Sequence, residues 1–233
     1  MTPSLTEEDV LNALGSFLTT VLNFPNGQVV IGQVNRVASP EGDYCVMWPL
    51  LRPRISTNRD SSSDVKFTGS INGTTLTVTE VSVGLINPNS VMFGVGVAAN
   101  TTVISQQSGD PGSVGVYIVS IPQTINSETL STGTTQIQQS TKMTVQVDVH
   151  GPNAGDNAQV IQQLLRDEYG VEQFAGTGVT PLYADDPKQT PFITAANQYE
   201  ERWTVDCHLQ ISPVIAVPQQ YADEGVVGLH QVT

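Results

Sequence analysis

Basic charge is the scarcest commodity in this chain: 233 residues carry nine Lys and Arg against 22 Asp and Glu. Charged residues make up only 13 % of the total, about half the share of an ordinary soluble domain, yet the net charge is −13. So few cations cannot build the basic stripe with which proteins hold nucleic-acid phosphates. Long apolar runs are missing as well, and none approaches the roughly 18 residues of a membrane helix. The opening MTPSLTEEDV lacks the basic n-region of a signal peptide. Cysteine is nearly absent. Cys45 and Cys207 cannot make a disulfide framework, and no CxxC or Cys/His cluster suggests zinc. Each lies in an apolar, strand-like run, DYCVMW (43–48) and TVDCHL (204–209), as expected of buried inert thiols made in a reducing compartment. Hydrophobic residues, at 39 %, are too many for a disordered chain.

Catalytic signatures are equally sparse. There is no G-x-S-x-G elbow and no Walker A loop. GVGVAAN (94–100) is not GxGxxG, and no helical pattern follows it. The adjacent carboxylates Asp185-Asp186 and Glu200-Glu201 are poor acid/base pairs, since neighbours on a strand point to opposite faces. They read as a solvated acidic rim. No catalytic residue, no cofactor and no enzyme activity are expected.

What is present divides the chain in three. Residues 5–22 have the periodicity of an amphipathic helix, with Val10, Leu11, Leu14, Phe17, Leu18, Val21 and Leu22 on one stripe. Thr6 and Asp9 are spaced as a capping box, Leu5 and Val10 as a hydrophobic staple. FPNG then breaks the helix. QVVIGQV (28–34) and DYCVMW (43–48) read as strands joined by a turn around 39–42. From Ser63 to Gln136 the composition changes: four acids, one Lys, and much Thr, Ser, Gly and Val. Asn72-Gly73 between alternating runs predicts a type I′ hairpin, and nothing here has helical periodicity. This middle segment reads as a small all-β unit. TKMTVQVDVH (141–150) alternates again, with Met143, Val145, Val147 and Val149 on one face and Gln146, Asp148 and His150 on the other. A second helix follows Gly151-Pro152, with Ala154, Ala158, Ile161, Leu164 and Leu165 as its apolar stripe and Gly170 as its C-cap. PLYADDPKQTPF (181–192) reads as a loop, YEERWTVDCHLQIS (199–212) as a long strand and VVGLHQV (226–232) as a final one.

Charge follows the same division. Residues 1–62 hold six acids and four arginines, whereas 137–233 hold twelve acids and four bases. Arg52, Arg54 and Arg59 fall within eight positions. In so acidic a chain they need partners: acids of 137–233 in the same molecule, acids of a neighbouring subunit, or nucleic-acid phosphates. The repeated Asp-x-His of DVH (148–150) and DCH (206–208) places each Asp beside its His on one strand face. If those strands pair, the four side chains could form a divalent-metal site or simply a polar sheet face with cross-strand bonds.

Three stretches taken together resemble one family. GQVNRVASPEGDYCVMWPLLRPRISTNRD (32–60), QQSTKMTVQVDVHGPNAGDNAQVIQQLLRDEYGVEQF (138–174) and YEERWTVDCHLQISPVIAVPQQYADE (199–224) resemble, in order, the blocks of tailed-bacteriophage tail (neck) terminator proteins. The family's motifs stand here as Asn35-Arg36-Val37, the arginine segment with Ser56, Thr57 and Asn58, Gly151-Pro152, Arg166 to Tyr169, and Val217 to Gln220. The resemblance implies an α+β fold, helices packed on a mainly antiparallel sheet, in a discontinuous domain of residues 1–62 and 137–233. The family usually has a short connection where this chain has 63–136, so that segment is expected to be an inserted small all-β domain.

By the same resemblance the protein is a structural component of the virion, located at the tail neck and assembled in the bacterial host cytoplasm. It would form a homo-oligomeric ring, commonly a hexamer, that caps the head-proximal end of the tail tube and ends its polymerisation. Its partners would be copies of itself, the tail tube protein and head–tail connector (neck) proteins, with no membrane involved. Genomic DNA would pass through without specific binding, helped by an acidic lumen. A closed ring needs two complementary but different surfaces. Arg36, Arg52, Arg54 and Arg59 on one side, with Asp185, Asp186, Glu200 and Glu201 on the other, are the candidate subunit interface. Another head–tail connector protein, or a carbohydrate-binding adhesion module carried by the β segment, are the alternative readings.

Overall fold

The computed structural model describes residues 2–33, 40–190, 192–193 and 199–220. The elements begin with helix α1 (Glu7–Val21) and strands β1 (Val29–Ile31), β2 (Tyr44–Leu51) and β3 (Arg59–Val83). Next come β4 (Met92–Phe93), β5 (Val103–Gly109), β6 (Gly115–Gln138), β7 (Thr141–His150), α2 (Ala154–Leu164) and α3 (Glu168–Glu172). The chain continues through β8 (Val179–Ala184), β9 (Lys188–Gln189), β10 (Phe192–Ile193), β11 (Tyr199–Glu200), β12 (Arg202–Ile211) and β13 (Val214–Pro218). They fall into two compact units. Among the described residues, one comprises Thr2–Arg59 and Gln138–Val214, and the other Asp60–Ile137 with 215–220.

The first unit is a mixed α+β layer. Its sheet runs β1-β2-β7-β12-β8, with β9 also on β12. Its centre is the antiparallel β7–β12 pair, in unbroken register from Thr141↔Ile211 to His150↔Arg202. Alternation makes one face of this pair apolar: Met143, Val145, Val147 and Val149 with Val205, Cys207 and Leu209, all fully buried. The helices lie on that face, contributing Val10, Leu14, Phe17 and Leu18 from α1 and Ala154, Ala158 and Ile161 from α2 to the same cluster.

Helix starts obey local chemistry. Thr6 Oγ1 accepts from the Asp9 amide at 3.2 Å, and Asp9 Oδ2 accepts from the Thr6 amide at 2.8 Å, the expected capping box. The Thr6 hydroxyl, donating to Asp9 Oδ2 at 2.6 Å, and after it the Thr6 amide hold the Asp9 carboxyl below its ordinary range. Asn153 makes no side-chain cap for α2. Instead Asp43, from the start of β2, accepts from the Asn153 amide at 3.0 Å and its Nδ2 at 2.7 Å. Gly151, at φ +107°, lets the chain pass so close that a Cβ would stand 2.4 Å from Asp43 Oδ1.

Several expectations need correction. The strands at 29–31 and 44–51 pair in parallel, so the chain between them crosses over rather than turning back. Part of that connection, 34–39, lies outside the described residues, as does the expected strand 226–232. The stretch 181–192, expected as a loop, supplies part of β8 and all of β9, both paired with β12. Pairing to a long central strand overrides the weak local signal of a Pro-rich segment. Gly170 does not cap α2. It lies buried inside α3, without a positive φ, where a Cβ would meet the Leu164 carbonyl oxygen at 1.7 Å.

The second unit is built from strands. Its sheet runs β13-β6-β3, with β4 and β5 also on β6. It has a core of its own, including Phe67, Ile71, Leu76, Val103, Tyr117 and Leu130. The chain folds back at Asn72-Gly73, since Thr79 Oγ1 donates to the Thr68 carbonyl at 3.2 Å. Only Gly73 has positive φ (+62°), so the turn is not type I′, which needs both central residues there. A strand from the C-terminal segment joins this unit, with the Gln219 amide donating to the Gly133 carbonyl at 2.9 Å.

Gly170→Ala tests the α2–α3 packing. The added methyl strikes a backbone carbonyl that cannot swing aside, so unfolding free energy should fall by about 1–3 kcal/mol. The urea midpoint would drop.

Candidate functional site

Because β7 and β12 alternate, the sheet face away from the helices collects polar side chains. Two networks form there. At one end His150 Nδ1 lies 2.9 Å from Glu200 Oε1, the Tyr44 hydroxyl donates to the same oxygen at 3.0 Å, and the Tyr44 and His150 rings stack at 4.5 Å. Asp148, buried next along β7, accepts from Gln146 Nε2 at 2.8 Å and Thr204 Oγ1 at 3.1 Å and pairs with Arg202 Nη1 at 3.3 Å. At the other end His208 Nδ1 bonds Thr144 Oγ1 at 3.0 Å, its ring lies on Tyr183 at 4.3 Å, and its Nε2 stands 3.3 Å from Asp185 Oδ1. Lys142 completes this end, 3.4 Å from the Tyr183 hydroxyl.

The strands of the two Asp-x-His motifs therefore do pair, but antiparallel register drives the histidines apart. His150 stands opposite Arg202 and His208 opposite Thr144, so six residues of strand, about 20 Å, separate them. The outcome is the polar sheet face rather than a four-ligand cluster. Among the described residues no group of three or more His, Cys, Asp or Glu is arranged to hold a metal ion. Cys45 and Cys207 are free thiols on the opposite, helix-covered face, and burial pushes both thiol pKa values up, away from reactive thiolate.

The expected interface residues are scattered through this arrangement. Arg36 lies outside the described residues. Arg52 pairs with Glu7 at the start of α1, an intramolecular acid but not one from 137–233. Arg54 Nη2 donates to Asn58 Oδ1 at 2.7 Å. Arg59 is exposed, with no ion-pair partner among the described residues. Asp186 is exposed, and Glu201 accepts from Trp203 Nε1 at 2.9 Å. Glu200 is drawn onto the sheet face by the buried His150, whereas Asp185 stays solvated, its side chain 44 % accessible, 3.3 Å from His208 Nε2. Their neighbours on strand β12 and on strand β7 were the missing information. The Asp-x-His repeat marked the polar face, but nothing local marked Tyr44, Tyr183 or Arg202 as its other members.

Burial lowers the His150 pKa, and this outweighs the opposing pull of Glu200, with Asp148 and Arg202 as the other charges acting on it. Burial, reinforced by Asp185, raises that of Asp206. For His150 the unfolded chain takes up a proton first, so its contribution to stability is full above about pH 6.5 and is lost as pH falls through the lowered folded value. His150→Asn should flatten the loss of stability between pH 7.5 and 5.5, read from urea midpoints at each pH. An unchanged slope would remove His150 as the source.

The arrangement is a packed polar sheet face, with histidines held between tyrosines and carboxylates. No curated protein matches the chain. The match that does exist begins at residue 85, inside the segment 63–136, and leaves out the arginine-bearing stretch 32–60. It spans residues 85–232 and the family described as phage neck terminator protein, so the chain belongs to that family, a structural component of the virion tail neck that interacts with other tail and head–tail proteins.

Proposed function

We propose that the protein closes the head-proximal end of the phage tail tube as a homo-oligomeric ring, commonly a hexamer in such assemblies, ending tube polymerisation and presenting a joint to the head connector. Assembly takes place in the host cytoplasm. The observation that carries this reading is the family match over 85–232. Charge supports it. A net −13 spread over surfaces with few free cations lets DNA pass a ring without adhering to it.

We also infer that residues 63–136 form an inserted module in a discontinuous terminator domain. Support comes from the points where the chain leaves and re-enters the mixed unit. The Ile55 amide donates to the Ser140 carbonyl at 2.9 Å, the Lys142 amide to the Pro53 carbonyl at 3.0 Å, and the Gln139 and Asn58 side chains meet at 2.9 Å. Ends pinned this closely tolerate an insertion, or its removal, with little entropic penalty.

Two tests follow from these readings. Phage lacking the protein should build overlong tails or polytubes, visible by electron microscopy; normal-length tails that fail to join heads would assign it to the connector instead. Replacing 63–136 with a short Gly/Ser linker should leave a folded mixed unit with its helical circular dichroism intact. Loss of all cooperative unfolding in that variant would show that the two units share stability.

A further inference from the structure

Two exposed surfaces of the mixed unit group apolar side chains with charge. The first follows β2. Every residue from Leu50 to Asn58 is exposed, and this run combines Leu50 (45 % accessible), Leu51 (53 %) and Ile55 (52 %) with Arg52 and Arg54. The second is α3. Glu168 and Glu172, one turn apart, form an acidic ridge flanked by the exposed Tyr169 (49 %) and Val171 (43 %), with Asp167 capping the helix start. Scattered exposed aliphatics need no explanation, but aliphatics grouped with arginine, or with tyrosine, carry the residue types that interfaces enrich.

The two surfaces are complementary in charge and alike in apolar content. They are also held apart by α1. Arg52 pairs with Glu7 in its first turn. On the α3 side, Phe174 packs on Phe17 with ring centroids 5.3 Å apart, and Gly170 backs onto the same ring. Ten helical residues between Glu7 and Phe17 amount to about 15 Å. A molecule whose cationic surface engages a neighbour's acidic one therefore keeps its own acidic surface free for a further copy, the condition for head-to-tail closure.

We propose that α3 of one copy, through Glu168, Tyr169, Val171 and Glu172, docks on the Leu50–Ile55 segment of the next, with Arg52 and Arg54 pairing the α3 carboxylates. The occupant is a second copy of this chain, so the proposal rests on the ring reading and assigns its acidic half to α3 rather than to Asp185 and Glu200, which the buried histidines already engage. Arg52 exchanges or shares Glu7 for the incoming acids, and Leu51, Ile55 and Tyr169 supply the apolar centre.

The test is a charge swap on the full chain, read by light scattering and negative-stain microscopy. Arg52→Glu with Arg54→Glu should lose rings to monomers, as should Glu168→Arg with Glu172→Arg, each with unchanged circular dichroism. All four together should restore rings. Cysteine pairing supplies a readout that does not depend on charge: Ile55→Cys combined with Tyr169→Cys should give an oxidative ladder of oligomers, while either alone stops at dimers. Cys45 and Cys207 are buried and should not compete. Wild-type rings that survive both double swaps, or a cysteine pair that yields no ladder, overturn the α3 assignment and leave the ring reading intact. A wild-type chain that forms no ring, alone or on tail tubes, overturns both.

Discussion

The pairing of β7 with β12 is the constraint on which the mixed unit depends. Ten consecutive residue pairs hold it in register, and strands β2 and β8 are placed by pairing on either side. Shifting that register by one residue would turn Met143, Val145 and Val147 away from the helices and drive Asp148 and His150 into them. Burial of an unpaired carboxylate and an imidazole among Val and Leu side chains costs far more than any compensating contact could return. The apolar face thus selects the register, and the polar networks on the other face are its consequence.

Those networks explain which parts of the molecule were legible beforehand. Strong periodicity carried α1, α2, β7 and β12, because burial of one face is written directly into the spacing of Val, Leu and Met. The Thr6–Asp9 cap was equally readable, since its donors and acceptors lie three residues apart. Partnerships between distant segments were not. Nothing near Glu200 announces that Tyr44 and His150 will meet it, and nothing in PLYADD (181–186) announces that β12 will draw it into a sheet. Gly170 was misleading for a similar reason: a glycine after a helix ordinarily ends it, but here it permits a second helix to press on the first.

Membership of the neck terminator family rests on residues 85–232, which include most of the strand-built unit as well as the blocks around β7, α2 and β12. That unit has its own apolar core and receives β13 from the C-terminal segment. The chain leaves the mixed unit at a point closed by cross-chain bonds between 53–58 and 139–142, so that whatever forces act on the strand-built unit need not reach the β7–β12 register. A unit whose ends are held this closely can vary in size without altering the β7–β12 sheet.

The acidity of the C-terminal third divides into two populations with different work. Asp148 and Glu200 face cations, hydroxyls or imidazoles on the polar sheet face, and their charge is largely answered within the fold. Asp185 and Asp206 lie on that face too, where burial, reinforced by Asp185, raises the Asp206 pKa. Arg202 and Lys142 are held on the same face, so two of the few cations of this region are committed to the interior account. What remains outward among the described residues includes the exposed carboxylates of Asp186 and of Glu168 and Glu172 on α3. Such a set of carboxylates has two consequences that are usually in tension. It repels a polyanion, and it attracts any exposed guanidinium. In a chain with only nine Lys and Arg, the guanidinium surfaces available to it are few, and the Leu50–Ile55 segment holds two of them beside exposed leucines. On the proposed ring reading, scarcity of basic charge would do more than keep DNA from adhering: it would also narrow the places where an acidic neighbour can dock.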